Sequence, residues 1–438
     1  MQKKTLTQFN FRESQVKYPK VQFISWELCT APVSVPAKPN IPQLFQYYPG
    51  ICLANDNRMD VLSQCQDIEA RLQFFQLALK QAAMAGNIDK SDTTLKVFMA
   101  PEFLFRGAGG AYLHDLVNGW QSSPPDYFAM SLQGTKYAGA WNGLFGSLRN
   151  IAANDAYKNW IIVPGTTVSA SFSCAPKQKP KGQPEPAYID FGQPAEIYNN
   201  CLILLGGSAN ANISHTTTKH YKSAIDFISN YAYVNQAFLN QSTRPLNDPR
   251  LAFLDELQSE GGAIFTLSGV NDASDKPITW GVEVCLDHAV SGGMRDPKSP
   301  GSFRNPFGVI RAFNNRVNIQ LVPSGGMTLK DASIWLTPVS SNTQFSYAFN
   351  CDGSLNLVLP PQANTLPSAC HTQIWCGSGS SAVPVVTKLL QLDGRQEIKG
   401  TTLNQVPGNC GDSLNKVLAT QLWSYGAGNV RVVDPHLL

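Results

Sequence analysis

The stretch TWGVEVCLDHAVSGG, residues 279–293, brings an alternating apolar run up to Cys285 and follows it at once with Asp287 and His288. A cysteine at the end of a strand has two uses. It can be a small buried hydrophobe, which is the commoner fate of a lone cysteine. It can also be a nucleophile, provided a base removes the thiol proton and a donor holds the oxyanion that forms on attack. A base is available in FMAPEFLFRG, where Glu102 follows an apolar run and a proline. Burying a carboxylate there is costly without a partner, and burial lifts its pKa toward the range of a working proton acceptor. Its structural alternative is an ion pair with Arg106. A cation is available in KHYKSAIDF (219–227), where Lys222 can face a developing negative charge and Lys219, three positions earlier, can be confused with it. The alternative for either lysine is a solvated surface position.

These residues need elements to position them. VQFISWEL (21–28) and TLKVFMAPEF (94–103) predict buried strands, the second ending in the turn that carries Glu102. The spacing of Ile68, Leu72, Phe75 and Leu79 predicts a helix over 67–85, with Gly86 as its stop. A second helix is predicted over 140–157. NWIIVPGTT (159–167), IYNNCLILLGG (197–207), AIFTLSGV (263–270), TWGVEVC (279–285) and VNIQLVPSGG (317–326) predict further strands, and FSYAFNCDG, SAVPVVTKLLQLDG and VRVVDP continue the strand-rich pattern. Strands with helices between some of them imply a layered α/β or α+β sandwich.

One strand ends in P-E, one is followed by K-x-x-K and one ends in G-V-x-V-C-L-D, in that order. That order resembles the nitrilase, or carbon–nitrogen hydrolase, superfamily. WIIVPGTT, IYNNCLILLGG, VNIQLVPSGG and GSGSSAVPVVTKLLQLDGRQEI resemble other strands of that family in the same sequence. The resemblance implies an α/β fold, a nitrilase-like α-β-β-α sandwich of two mixed sheets flanked by helices. It implies a single domain over 15–438, with insertions near 30–57, 107–135, 174–195, 228–254 and 328–370 that set substrate choice. It carries the family's Glu-Lys-Cys triad onto Glu102, Lys222 and Cys285. The lysine motif departs from the family pattern, since Ser223, Ala224 and Ile225 follow Lys222 where a histidine and a leucine are usual.

By the same resemblance, a second glutamate falls on Glu260, with Glu256 as the fallback. Leu286 supplies an oxyanion N–H, and Asp287 and His288 support the site. Glu283, two residues before Cys285, is placed by strand alternation on the cysteine's face. A Cys285–His288 dyad is a rival arrangement, open only if the two lie in a turn or helix. The implied reaction is cleavage of a non-peptide C–N bond through a thioester on Cys285. C-L-D at 285–287 favours an amide over a nitrile. Acyl transfer by the same triad and a catalytically silent binding or assembly module are the alternatives.

The totals limit the partners. The net charge is +3 and no basic run interleaves with aromatics, so nucleic acid is not expected. No signal peptide or membrane-spanning apolar stretch is read, and none of the ten cysteines forms a C-x-x-C pair. A cytoplasmic protein is the expectation, with export by another route left open. Cys370, His371 and Cys376 lack a fourth ligand at zinc spacing, and Gly107, Gly109 and Gly110 lack the Lys-Ser/Thr ending of a phosphate loop. The expected ligand is a small amide or nitrile with no cofactor and no metal, and the resemblance implies a homodimer.

Overall fold

The computed structural model describes residues 16–35, 45–52, 60–127, 131–172, 174–176, 187–191, 195–221, 262–289, 307–338, 345–353, 372–377, 386–389, 396–398, 405–410 and 414–438. Along the chain the elements that matter here are β1 (Val16–Tyr18), β2 (Lys20–Glu27), α1 (Val61–Ala83), β3 (Thr94–Met99), β4 (Tyr112–Leu113), α2 (Gly143–Ala152), β5 (Trp160–Val163), β6 (Thr166–Phe172), β7 (Ala195–Leu205) and β8 (Ser214–Thr218). They continue with β9 (Ile264–Asp272), β10 (Pro277–Val282), α3 (Val309–Ala312), β11 (Ile319–Ser324), β12 (Ser346–Asp352), β13 (Gln373–Gly377), β14 (Val386–Leu389), β15 (Gln396–Ile398), β16 (Asn429–Val432) and β17 (His436–Leu437).

Two mixed sheets result. One has seven strands in the order β1-β9-β10-β11-β12-β13-β14. The other has ten, along β15-β16-β2-β3-β5-β7-β6-β4, with β8 added beside β7 and β17 beside β2. Strand alternation decides which residues meet. Val21 and Phe23 of β2, Val97 and Met99 of β3, and Ile161 and Val163 of β5 form one apolar cluster with Trp280, Val282, Ile319, Leu321 and Phe349 of the other sheet. Phe23 packs its ring 5.0 Å from Phe349 and 5.4 Å from Tyr347. The intervening residues Ile24, Trp26, Phe98 and Ile162 face the other way, onto Phe74, Phe75 and Leu79 of α1 and Leu144 and Leu148 of α2. On the far side of the seven-stranded sheet, Val322 and Ala348 pack against Val309 and Ile310 of α3. The layers are therefore helix, sheet, sheet, helix, the α/β sandwich that the sequence implies.

The local differences have physical causes. α1 begins six residues before the predicted start, because Asp60 caps it by accepting from the Ser63 N–H at 3.1 Å. It ends at Ala83 with Met84 as its C-cap, before Gly86. The predicted strand 159–167 is two strands, β5 and β6, broken at Pro164–Gly165. Gly165 has φ +67°, and a side chain there would meet the Pro101 carbonyl at 2.0 Å. Within the expected 107–135 insertion, β4 joins the ten-stranded sheet beside β6, and Leu113, Leu116 and Val117 are buried. Of the other expected insertions, residues 36–44, 53–57, 177–186, 192–194, 228–254, 339–344 and 354–370 lie outside the described residues.

Candidate active site

Glu102 stands just past the C-terminal end of β3, in a loop tied down on every side. The Ala100 N–H donates to Val163 O at 2.9 Å, and the Glu102 N–H donates across to Ser324 O of the opposite sheet at 3.2 Å. Thr30 Oγ1 donates to Glu102 O at 2.5 Å. The Phe103 N–H donates to Thr166 Oγ1 at 2.9 Å, and Arg71 donates to Leu104 O at 2.8 Å. Phe103 itself takes φ +64°, a conformation that non-glycine residues rarely hold without support from their surroundings. Both the Glu102 and Lys219 side chains are fully buried, and Lys219 Nζ meets Glu102 Oε1 at 2.8 Å. Asn199 Nδ2 donates to the same oxygen at 2.9 Å. Arg106 donates to Thr30 O at 2.9 Å and lies over the rings of Phe103 and Tyr48.

Lys222 lies outside the described residues; among the described residues Lys219 is a cation that meets Glu102. Lys219 follows directly on β8, and its N–H donates to Asn199 O of the neighbouring β7 at 2.9 Å. Of the two lysines in the K-x-x-K pattern, the register of β7 against β8 places the first: Asn200 pairs with Thr218, so Lys219 is the next residue across from Asn199. Asn199 itself was legible only as part of an Asn-bearing strand.

Cys285 lies just beyond β10, in a short 3-10 turn over Cys285–His288, and is buried. Its φ is +49°, again a rare conformation for a residue with a side chain. Two links bring this turn to Glu102 and Lys219. β10 and β11 run parallel with Val282 opposite Leu321, so Cys285 and Ser324 each lie three residues beyond a paired position. Ser324 is the residue whose carbonyl holds the Glu102 N–H. The second link is Asp287. Its carboxylate accepts the His220 N–H at 2.9 Å and the Tyr221 N–H at 2.8 Å, the two residues that follow Lys219. Lys219 is thus bracketed by the Glu102 carboxylate and the Cys285 turn.

The remaining expectations divide. Glu283 does not share the face of Cys285. β10 ends at Val282 and the chain turns at Cys285, so alternation no longer applies. Cys285 packs with the cluster between the sheets. Glu283 points to the outer layer, where Oε1 accepts the Ile310 N–H at 2.7 Å and Oε2 meets His288 Nδ1 at 2.6 Å and Gln320 Nε2 at 2.7 Å. His288 does lie in a turn with Cys285, as a dyad would require. However, its Nε2 accepts the Lys330 N–H at 2.9 Å, so Nδ1 carries the proton given to Glu283 and both ring nitrogens are engaged. It braces the turn. Leu286 is partly buried against the α3 layer. Glu256 and Glu260 lie outside the described residues, as do Cys370 and His371. Among the described residues no group of three or more His, Cys, Asp or Glu is placed to hold a metal ion, and no helix is long and apolar enough to cross a membrane.

Cys201, on β7 two residues from Asn199, provides an internal contrast. Burial, with the nearby Glu102 charge, pushes its thiol far above the ordinary range. A thiol held protonated in mid-strand is inert.

No family model and no curated protein matches the chain. Twelve chains of solved structures do. An N-terminal amidase is 11% identical over 70% of this chain, with a TM-score of 0.29, and the same enzyme with a Gln-Val peptide gives 0.28. The chain spans about half the length of these amidases, 48% in each case. A carbon–nitrogen hydrolase from Helicobacter pylori G27 is 10% identical, covers 82% of both chains and has a TM-score of 0.25.

Proposed function

We propose that the chain is a cysteine-dependent hydrolase of a non-peptide C–N bond, with an amide favoured over a nitrile, working through a thioester on Cys285. The observation that carries this reading is the fully buried Glu102–Lys219 pair at the strand ends beside the Cys285 turn. Burying two charges costs several kcal/mol per ion before their attraction is counted, and apolar residues of similar size often serve stability as well or better. A pair kept at such cost beside a strained cysteine suits catalysis better than packing.

In this reading the Glu102 carboxylate takes the thiol proton as the Cys285 sulfur bonds to the amide carbon. The oxyanion is held by the Lys219 ammonium and the Leu286 N–H. The C–N bond breaks as protonated Glu102 gives its proton to the leaving nitrogen, which departs as the amine. Water then adds to the thioester, Glu102 takes a proton from it, and the sulfur leaves and regains that proton as the acid is released. Asp287 holds the lysine segment against the cysteine turn, and His288 braces that turn through Glu283. The roles sequence reading gave to Lys222 pass to Lys219.

The test is alkylation of every cysteine in the folded chain across pH, read by mass spectrometry. Cys285 should react fastest, and well below the ordinary thiol pKa of about 8.5. Glu102→Gln should remove that advantage, and Cys285→Ala should abolish turnover on a panel of small amides. A Cys285 no more reactive than its neighbours would sink the reading.

A further inference from the structure

The two donors on Glu102 converge on one atom. Lys219 Nζ at 2.8 Å and Asn199 Nδ2 at 2.9 Å both address Oε1. A proton added to Oε1 would have to displace donors already directed at it. A proton added to Oε2 leaves both interactions in place. A Cβ built at Gly325 would lie 3.2 Å from Oε2 and 3.0 Å from the Phe103 ring, so a side chain at that position would crowd Oε2.

The geometry points to Asn199 as a positioning residue that, with Lys219, reserves Oε1, so that the proton exchanged with Cys285, the leaving nitrogen and water travels on Oε2. This rests on the Glu-Lys-Cys reading above. Asn199 is suited to the task because it holds both other groups at once. Its side chain fixes the carboxylate and its backbone carbonyl fixes Lys219 through the 2.9 Å bond from the Lys219 N–H. Its own orientation is fixed as well, because turning the amide over would set its oxygen against Oε1. At 2% exposure it cannot exchange that contact for bulk water. A leucine of similar size would keep the packing and lose the donor.

The experiment measures the iodoacetamide alkylation rate of Cys285 in the full chain, from about pH 5 to about pH 9, spanning the ordinary carboxylate and thiol ranges. Wild type is compared with Asn199→Leu, Asn199→Asp and Glu102→Gln, each checked for folding by thermal melt. Asn199→Leu should slow Cys285 about ten-fold at every pH, the scale expected for one hydrogen bond to a charged group. Asn199→Asp should recover toward wild type at the acid end, where the introduced carboxyl is protonated and can donate to Oε1. It should fall behind as pH rises and that carboxyl ionises. Folded Leu and Asp variants that both match wild type overturn the inference. So do variants slowed equally at every pH with a matching drop in melting temperature, since that is a packing role. Glu102→Gln separates the two levels. If it slows Cys285 and Asn199→Leu does not, only the role of Asn199 falls. If Glu102→Gln leaves Cys285 unchanged, the triad reading falls and takes the inference with it.

Discussion

Two buried acid–base pairs lie within a few residues of each other in this fold, and they are built differently. In the pair under α1, Asp67 Oδ1 accepts the Ile51 N–H at 2.8 Å, and Oδ2 meets Arg71 Nε at 2.7 Å and the Tyr112 hydroxyl. Arg71 spends its other nitrogens on Leu104 O, Pro49 O and Leu422 O, at 2.8, 2.9 and 3.0 Å. Both carboxylate oxygens and all three guanidinium nitrogens are engaged, and the result is a clamp on three separate segments. One of them, at Leu104, is the loop that presents Glu102. In the second pair a lysine replaces the arginine, and its contact with Glu102 is to a single oxygen that Asn199 shares. An arginine fork fixes geometry by filling every site, whereas a lysine supplies charge at one point. The first pair holds the loop; the second is the pair to which the proposed function assigns the proton transfers.

The largest expected effect separates the two pairs by activity. Glu102→Gln should cut turnover of the amide substrate per folded molecule about 10²- to 10⁴-fold, the range for loss of a positioned general acid–base group, while also lowering stability because the buried Lys219 ammonium loses its partner. Asp67→Asn should lower stability as well but leave turnover per folded molecule close to wild type. Comparable turnover losses from both would erase the distinction.

Stability sharpens it next. Lys219→Met and Arg71→Met each leave a buried carboxylate uncompensated, which costs about 3–5 kcal/mol. The double replacements should diverge. Glu102→Gln with Lys219→Met makes a neutral pair and should recover most of that loss in urea unfolding. Asp67→Asn with Arg71→Met should recover less, because the carbonyls of Leu104, Pro49 and Leu422 lose their donor. Equal recovery would mean that Arg71 is no clamp.

A smaller effect is expected at Gly325. Its backbone does not take a left-handed φ, so alanine is conformationally allowed there. The added methyl presses on the Phe103 ring at 3.0 Å and on Glu102 Oε2 at 3.2 Å. Gly325→Ala should cost about 1 kcal/mol of stability while lowering turnover about ten-fold, measured by melt and by initial rates on the same preparation; a fall in stability alone would deny Oε2 its role.

How much of this was legible beforehand follows from where each contact is made. The strand through Met99, the turn carrying Glu102 and the cysteine after β10 all announce themselves locally, by an apolar run and its end. The placement of Lys219 beside Asn199 and Glu102 follows from the β7–β8 register, a pairing between residues 18 apart that no local pattern states. The orientation of Glu283 depends on where β10 stops. A strand continued to Cys285 puts both on one face. The observed turn separates them, and Gln320 and the Ile310 N–H, 37 and 27 residues away, receive the carboxylate. The Asp67–Arg71 spacing is visible as an i, i+4 pair on a helix, yet its clamp on Leu422 spans 351 residues. Periodicity therefore locates the groups, and long-range register decides their partners.

The smallest expected effect uses Cys201 to test whether the Glu102 charge is felt inside the sheet. Burial first, and the Glu102 charge second, raise this thiol well above its unfolded value. A raised folded pKa means that the folded chain retains a proton the unfolded chain gives up. The contribution to stability is complete below about pH 8.5, the unfolded thiol value, and is lost progressively above it, at up to about 1.4 kcal/mol per pH unit. Cys201→Ala should therefore flatten the decline in unfolding free energy between about pH 8.5 and about pH 10 relative to wild type, after a constant offset for the lost side chain is removed. In a Glu102→Gln background burial remains and still holds the thiol protonated over this window, so the flattening should persist. Its loss would mean that the Glu102 charge, rather than burial, keeps the thiol protonated, and that this charge reaches into the sheet despite the Lys219 ammonium beside it.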